Sequence, residues 1–152
     1  MRETVLRIGV WFLGLTALMT GAWAALAPRA FYDDFPGFGR EWVAPDGPYN
    51  EHLVRDVGEL SLALAIVTIA AAITLSRPLV RATLVAWIVS GALHAVYHAR
   101  NTDPFDSSDA VAIVASLALQ PILAAVLLYL TFPAAEPAGA PTNEPSKSGG
   151  RS

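Results

Sequence analysis

Apolar and polar positions along this chain fall into long blocks. Four runs, Ile8–Leu26, Val57–Leu75, Leu79–Val96 and Ala110–Phe132, are almost wholly apolar. Each approaches or exceeds the ~20 residues a helix needs to cross a ~30 Å hydrocarbon layer. Backbone groups in lipid must bond within their own segment, so such runs predict helices. The breaks carry start and stop signals. Asp46-Gly47-Pro48 predicts a turn, and Asn50 is placed to cap the second helix. Ser76 and Pro78 start the third, since proline in the first turn sacrifices no hydrogen bond. Ser107-Ser108-Asp109 starts the fourth. The short connection between runs two and three makes those helices antiparallel neighbours.

The pattern thus predicts an all-α fold, a four-helix transmembrane bundle filling residues 1–132. The segment 28–50 is expected as an aromatic-rich extracytoplasmic loop. Its Phe31, Tyr32, Phe35, Phe38 and Trp42 alternate with Pro and Gly, which suits the headgroup layer. It reads as an interfacial loop lying on the bundle, or as a lid over a pocket. From 133 to 152 Pro, Ala, Gly, Ser, Thr and Glu dominate, which predicts a disordered cytoplasmic tail.

Composition agrees with a membrane protein: 54% of the 152 residues are hydrophobic and 15% charged. There is no cysteine, which excludes disulfides and thiolate chemistry. Net charge is −3 without a basic run, so no nucleic-acid partner is expected. Arg2, Arg7, Arg77, Arg81, Lys147 and Arg151 fall on one side, against Arg29, Arg40, Arg55 and Arg100 on the other. The positive-inside rule then places both termini in the cytoplasm. Ala22-Trp23-Ala24 also fits a signal-peptide cleavage site. Against cleavage, the apolar run continues past it, and Ala17, Gly21 and Ala25 lie at the spacing of a helix-packing face.

Ionisable groups gather near the extracytoplasmic ends. His52, Arg55, Asp56 and Glu59 fall within a ~100° arc of the second helix. Facing lipid would leave them unsolvated, so the arc is expected to face the bundle interior or water. On the third helix His94 and His98 share a face at i and i+4, continued inward by Trp87, Ser90 and Gly91, with Tyr97 beside them. Short connections would bring the two groups together. Imidazole with carboxylate suits a divalent transition metal, with His52, Asp56, Glu59, His94 and His98 as the candidate ligands. A structural network, with Arg55 neutralising Asp56 or Glu59, explains the same residues. So does a ligand pocket of His52, Arg55, Asp56, Glu59 and Tyr97. Haem is not expected, because two histidines on one helix face cannot ligate opposite sides of one iron. Elsewhere Gln120-Pro121 and Ser116 suggest a kink and an interhelical hydrogen bond. No Asp, Glu, Lys or His occupies a midplane position, which disfavours an ion-coupled carrier.

The run His-Leu-Val-Arg-Asp-Val-Gly at 52–58, with His-Ala-Val-Tyr-His at 94–98 and the four-span plan, resembles small bacterial membrane proteins of actinobacterial type. These are similar to the DoxX-like four-helix families. The resemblance covers residues 5–132 in architecture and implies a multi-pass protein of a bacterial plasma membrane. It implies no particular activity. The expected function is binding of a membrane-protein partner, a second copy or a small ligand at the acidic end. The alternative is a metal-dependent or redox enzyme using the same groups, and a small transporter ranks third.

Overall fold

The computed structural model describes residues 1–132. The expected tail, 133–152, lies outside them. Four long helices carry the fold: α1 (Arg2–Leu26), α3 (Glu51–Thr74), α4 (Arg77–Arg100) and α5 (Ser107–Leu130). All four are long and apolar enough to span a membrane. Only 17–28% of each apolar window is buried inside the protein. The rest faces outward, which a water-soluble bundle would not tolerate. This is therefore a multi-pass, all-α membrane protein.

The bundle is built as two antiparallel pairs. In the first, α1 packs on α3 through glycines. A Cβ on Gly58 would stand 2.4 Å from the Ala25 nitrogen, and one on Gly21 2.8 Å from the Leu62 nitrogen. Only hydrogen at these positions lets two backbones approach so closely, as at many helix crossings in lipid. The small-residue face predicted for α1 is thus its contact face, and Ala17, Gly21 and Ala25 are buried on it. In the second pair α4 packs on α5. There Gly91 receives the Pro121 ring, whose Cδ would lie 2.9 Å from an added Cβ.

The pairs meet along a seam of apolar side chains. Leu13, Ala65, Ala72, Leu84, Trp87 and Leu127 share one buried cluster. Trp87 Nε1 donates across it to Thr68 Oγ1 at 3.0 Å. An interhelical hydrogen bond of this kind contributes roughly 0.6–2 kcal/mol in a membrane. At the end holding the N-terminus, Arg81 donates to the Thr131 hydroxyl and carbonyl at 3.0 and 2.9 Å. Leu75, in the left-handed region at φ 48°, joins α3 to α4 through Ser76. Further from this join, Ala63, Leu64, Val67, Leu79, Thr83 and Ala86 line a lateral cleft of about 400 Å³ between the two helices.

The segment expected as a loop is a folded cap. It contains α2 (Pro28–Asp34), a hairpin of β1 (Pro36–Gly37) and β2 (Arg40–Glu41), and a 3-10 turn at Ala44–Asp46. Pro28 at the first turn starts α2. Trp23, Phe31, Phe35 and Trp42 pack as a chain of aromatic rings with centroids 4.7–6.3 Å apart. Tyr32 closes the cap by donating to the Gly47 carbonyl at 2.6 Å. The cap sits on α1 and α3 and reaches the other pair. Arg40 pairs with Asp109 of α5, and Trp42 Nε1 donates to the same carboxylate at 3.0 Å.

Two local expectations shift. Asn50 caps α3 as predicted, accepting from the Leu53 N–H at 3.2 Å. The cap of α5 lies one residue before the predicted start. Asp106 accepts from the N–H groups of Ser108 and Asp109 at 2.8 and 2.9 Å. Ser116 makes no interhelical bond and donates to Ile113 of its own helix.

Candidate functional site

The α3 arc forms, but it does not converge with the α4 histidines into one cluster among the described residues. Gly58 fixes the orientation, because its face must lie against α1. His52, Arg55, Asp56 and Glu59 are then turned ~60–160° away from that contact at 100° per residue. Arg55 and Asp56 are half-buried, while His52 and Glu59 are exposed. Arg55 does not neutralise Asp56 or Glu59. It pairs with Glu51 at 2.8 Å and donates to the Ala25 carbonyl at 2.6 Å. It thus fastens the end of α1, whose carbonyls lack helical donors. Asp56 instead faces His52, with Nδ1 3.3 Å from the carboxylate.

On α4 the histidine face is set by Gly91. That residue meets Pro121, so the face two turns further along points toward α5 and the cap. His94 and His98 bring their Nε2 atoms 3.1 Å apart. The rings lie 4.9 Å apart, and Tyr97 packs edge-on against His98. The carboxylate in electrostatic reach of His94 is Asp46 of the cap. Among the described residues, no group of three or more His, Asp or Glu side chains converges on one point. The joint cluster of His52, Asp56, Glu59, His94 and His98 is therefore corrected to two separate pairs, His52–Asp56 and His94–His98. A short connection makes two helices neighbours where they join, and packing decides how far along they stay together. Here α3 packs chiefly on α1, and α4 chiefly on α5.

Glu59 is left over. It makes no hydrogen bond or ion pair among the described residues. It lies ~12 Å along α3 from Glu51, at 1.5 Å per residue. Its neighbours Val57 and Leu60 are 47% and 72% exposed. Ala63, one turn deeper on the same face, opens the α3–α4 cleft. Helix periodicity placed Glu59 in the arc but could not separate it from its paired neighbours.

The cap adds groups that sequence reasoning did not single out as a site. Arg29 bonds Asp33 at 2.7 Å, and its guanidinium stands 5.5 and 4.9 Å from the Tyr32 and Tyr49 ring centres. The hydrogen bond to Asp33 holds the Arg29 proton more tightly than usual. Phe38 sits at the hairpin tip at φ 61°, fully exposed between Gly37 and Gly39. Aromatics spaced by glycine were the signal for it.

The chain matches no family model, no curated protein and no solved structure. Function must therefore be argued from these side chains.

Proposed function

We propose that this chain is a non-catalytic protein of a plasma membrane, with both termini cytoplasmic, that binds a second membrane protein at its extracytoplasmic end. The α3 side is the contact surface, with Glu59, Asp56 and His52 as its polar groups. The observation that carries this reading is Glu59, an exposed carboxylate at the inner end of the α3 polar arc, without a partner among the described residues. A carboxylate facing hydrocarbon is unfavourable by as much as ~3 kcal/mol at the bilayer centre, and by less toward the interface. A partner helix that brings an amide, a hydroxyl or a cation to Glu59 removes that penalty. The cleft beginning at Ala63 gives such a helix somewhere to seat its side chains.

Photocrosslinking in cells tests this. A photoreactive residue at Ala63 should give one discrete protein adduct. A probe at Leu119, on the lipid-facing side of α5, should not. Glu59→Ala should remove the Ala63 adduct while the protein accumulates normally. Lipid adducts alone at Ala63, or a protein adduct indifferent to Glu59→Ala, would defeat the proposal.

One distance favours a second reading. Two nitrogens bound to one tetrahedral zinc at 2.0–2.1 Å lie ~3.3 Å apart, and the His94 and His98 Nε2 atoms stand at 3.1 Å. On this reading the pair would supply two ligands, and a partner chain or substrate would have to supply the rest. Near-stoichiometric transition metal in the purified full chain, absent from His94→Ala, would favour this enzyme-compatible reading.

A further inference from the structure

The opposite end of the bundle carries a second polar site that the first does not explain. A pocket of about 410 Å³ opens where the start of α1, the α3–α4 connection and the end of α5 meet. Its lining divides by chemistry. Arg2, Arg77 and Thr131 are polar, while Leu6, Leu75 and Phe132 are apolar. Neither Arg2 nor Arg77 has a carboxylate partner among the described residues. Glu3 also lines the pocket, but its carboxylate is engaged by Arg7 at 3.4 Å. The wall formed by Thr131 and Phe132 is fixed by Arg81, which bonds Thr131 and covers the Phe132 ring at 4.2 Å. Because α4 also begins here, the pocket sits at the positive end of its helix dipole. Ser76 makes no side-chain cap bond that would satisfy the first-turn donors. All four spans end at this level, so the pocket lies at the boundary between hydrocarbon and headgroups.

A cationic rim over an apolar floor at that depth fits an amphiphile with a negatively charged head. We infer that this pocket binds the phosphodiester headgroup of an anionic phospholipid. Arg2 and Arg77 hold the phosphate, and the lipid's first methylenes lie on Leu6, Leu75 and Phe132. The site is independent of the proposed partner contact, which lies at the other end of α3.

Native mass spectrometry of the full chain, released from nanodiscs of phosphatidylcholine with phosphatidylglycerol, tests the inference. Wild type should retain phosphatidylglycerol in preference to phosphatidylcholine. Arg2→Gln and Arg77→Gln should each weaken retention about fivefold, as expected for one basic residue at a membrane surface. Arg100→Gln, the same charge change at the far end, should leave retention unaltered. The preference of the wild-type protein is read without mutation, so a variant that fails to fold does not obscure the result. Equal retention of the two lipids would overturn the inference. So would equal losses from Arg77→Gln and Arg100→Gln, or inorganic phosphate displacing all retained phosphatidylglycerol, which would mark a site for soluble phosphate.

Discussion

At the scale of single residues, the decisive positions are those where a side chain is missing. Gly58 and Gly21 set how closely α1 and α3 approach, and through that contact they set which way every other α3 residue points. The α1 half of this contact was legible in the spacing of Ala17, Gly21 and Ala25. The α3 half was not, because Gly58 stands in sequence among the charged residues at 51–59. Gly58→Ala should lower stability by about 1–3 kcal/mol, since the added methyl meets backbone atoms that cannot rotate away. Gly47→Ala, with nothing within 4 Å of its Cβ, should be neutral. Thermal melts of the two variants in one detergent check the contrast. A Gly58→Ala protein as stable as wild type would show that the helices sit further apart than described.

At the scale of elements, all four helices were legible because length and apolarity are cumulative signals. What the pattern could not give is rotation about each axis. A polar arc states which residues share a face, but the neighbour that fills the other face decides where the arc points. Here Gly58 sets it for α3 by its contact with α1, and Gly91 sets it for α4 by its contact with Pro121. The cap was illegible for a related reason. Its order comes from aromatic contacts between positions distant in sequence, such as Trp23 with Phe35, and no local periodicity announces them. The start of α5 gives an element-scale prediction. Hydrogen bonds from the Asp109 and Ser108 groups hold the Asp106 carboxyl below its ordinary value. A group depressed in the folded state stabilises fully above its unfolded value and loses that contribution as pH falls through the folded one. Acidification below the ordinary carboxylate range should therefore fray α5, and Asp106→Asn should lose this pH dependence. Amide exchange at Ser108 and Asp109 as pH is lowered would register it. Equal exchange profiles for wild type and variant would count against the cap.

At the scale of the whole molecule, the charge asymmetry becomes spatial. Arg2, Arg7, Arg77 and Arg81 share one end, while the cap, His52 and His94 occupy the other. The positive-inside rule then predicts that reporter fusions at Gly47, Arg77 and Asp106 read outside, inside and outside. A fusion at Arg77 that reads outside would invert the molecule and put the cap in the cytoplasm. Either orientation keeps the two ends chemically distinct, one presenting carboxylates and imidazoles, the other guanidinium groups around an apolar floor.

The cap's attachment to Asp109 has a consequence for how the protein is made. Ribosomes deliver the chain from its N-terminus, so α1, the cap and α3 all exist before α4 and α5. The first pair can close on its glycines, and the cap can gather its aromatic rings, while the second pair is still unmade. Arg40 and Trp42 must then wait, because the carboxylate that receives both belongs to the first turn of α5. That latch cannot close until α5 has entered the bilayer. The cap end is therefore finished only once α5 is in place, and a chain stalled before that presents the cap without its latch.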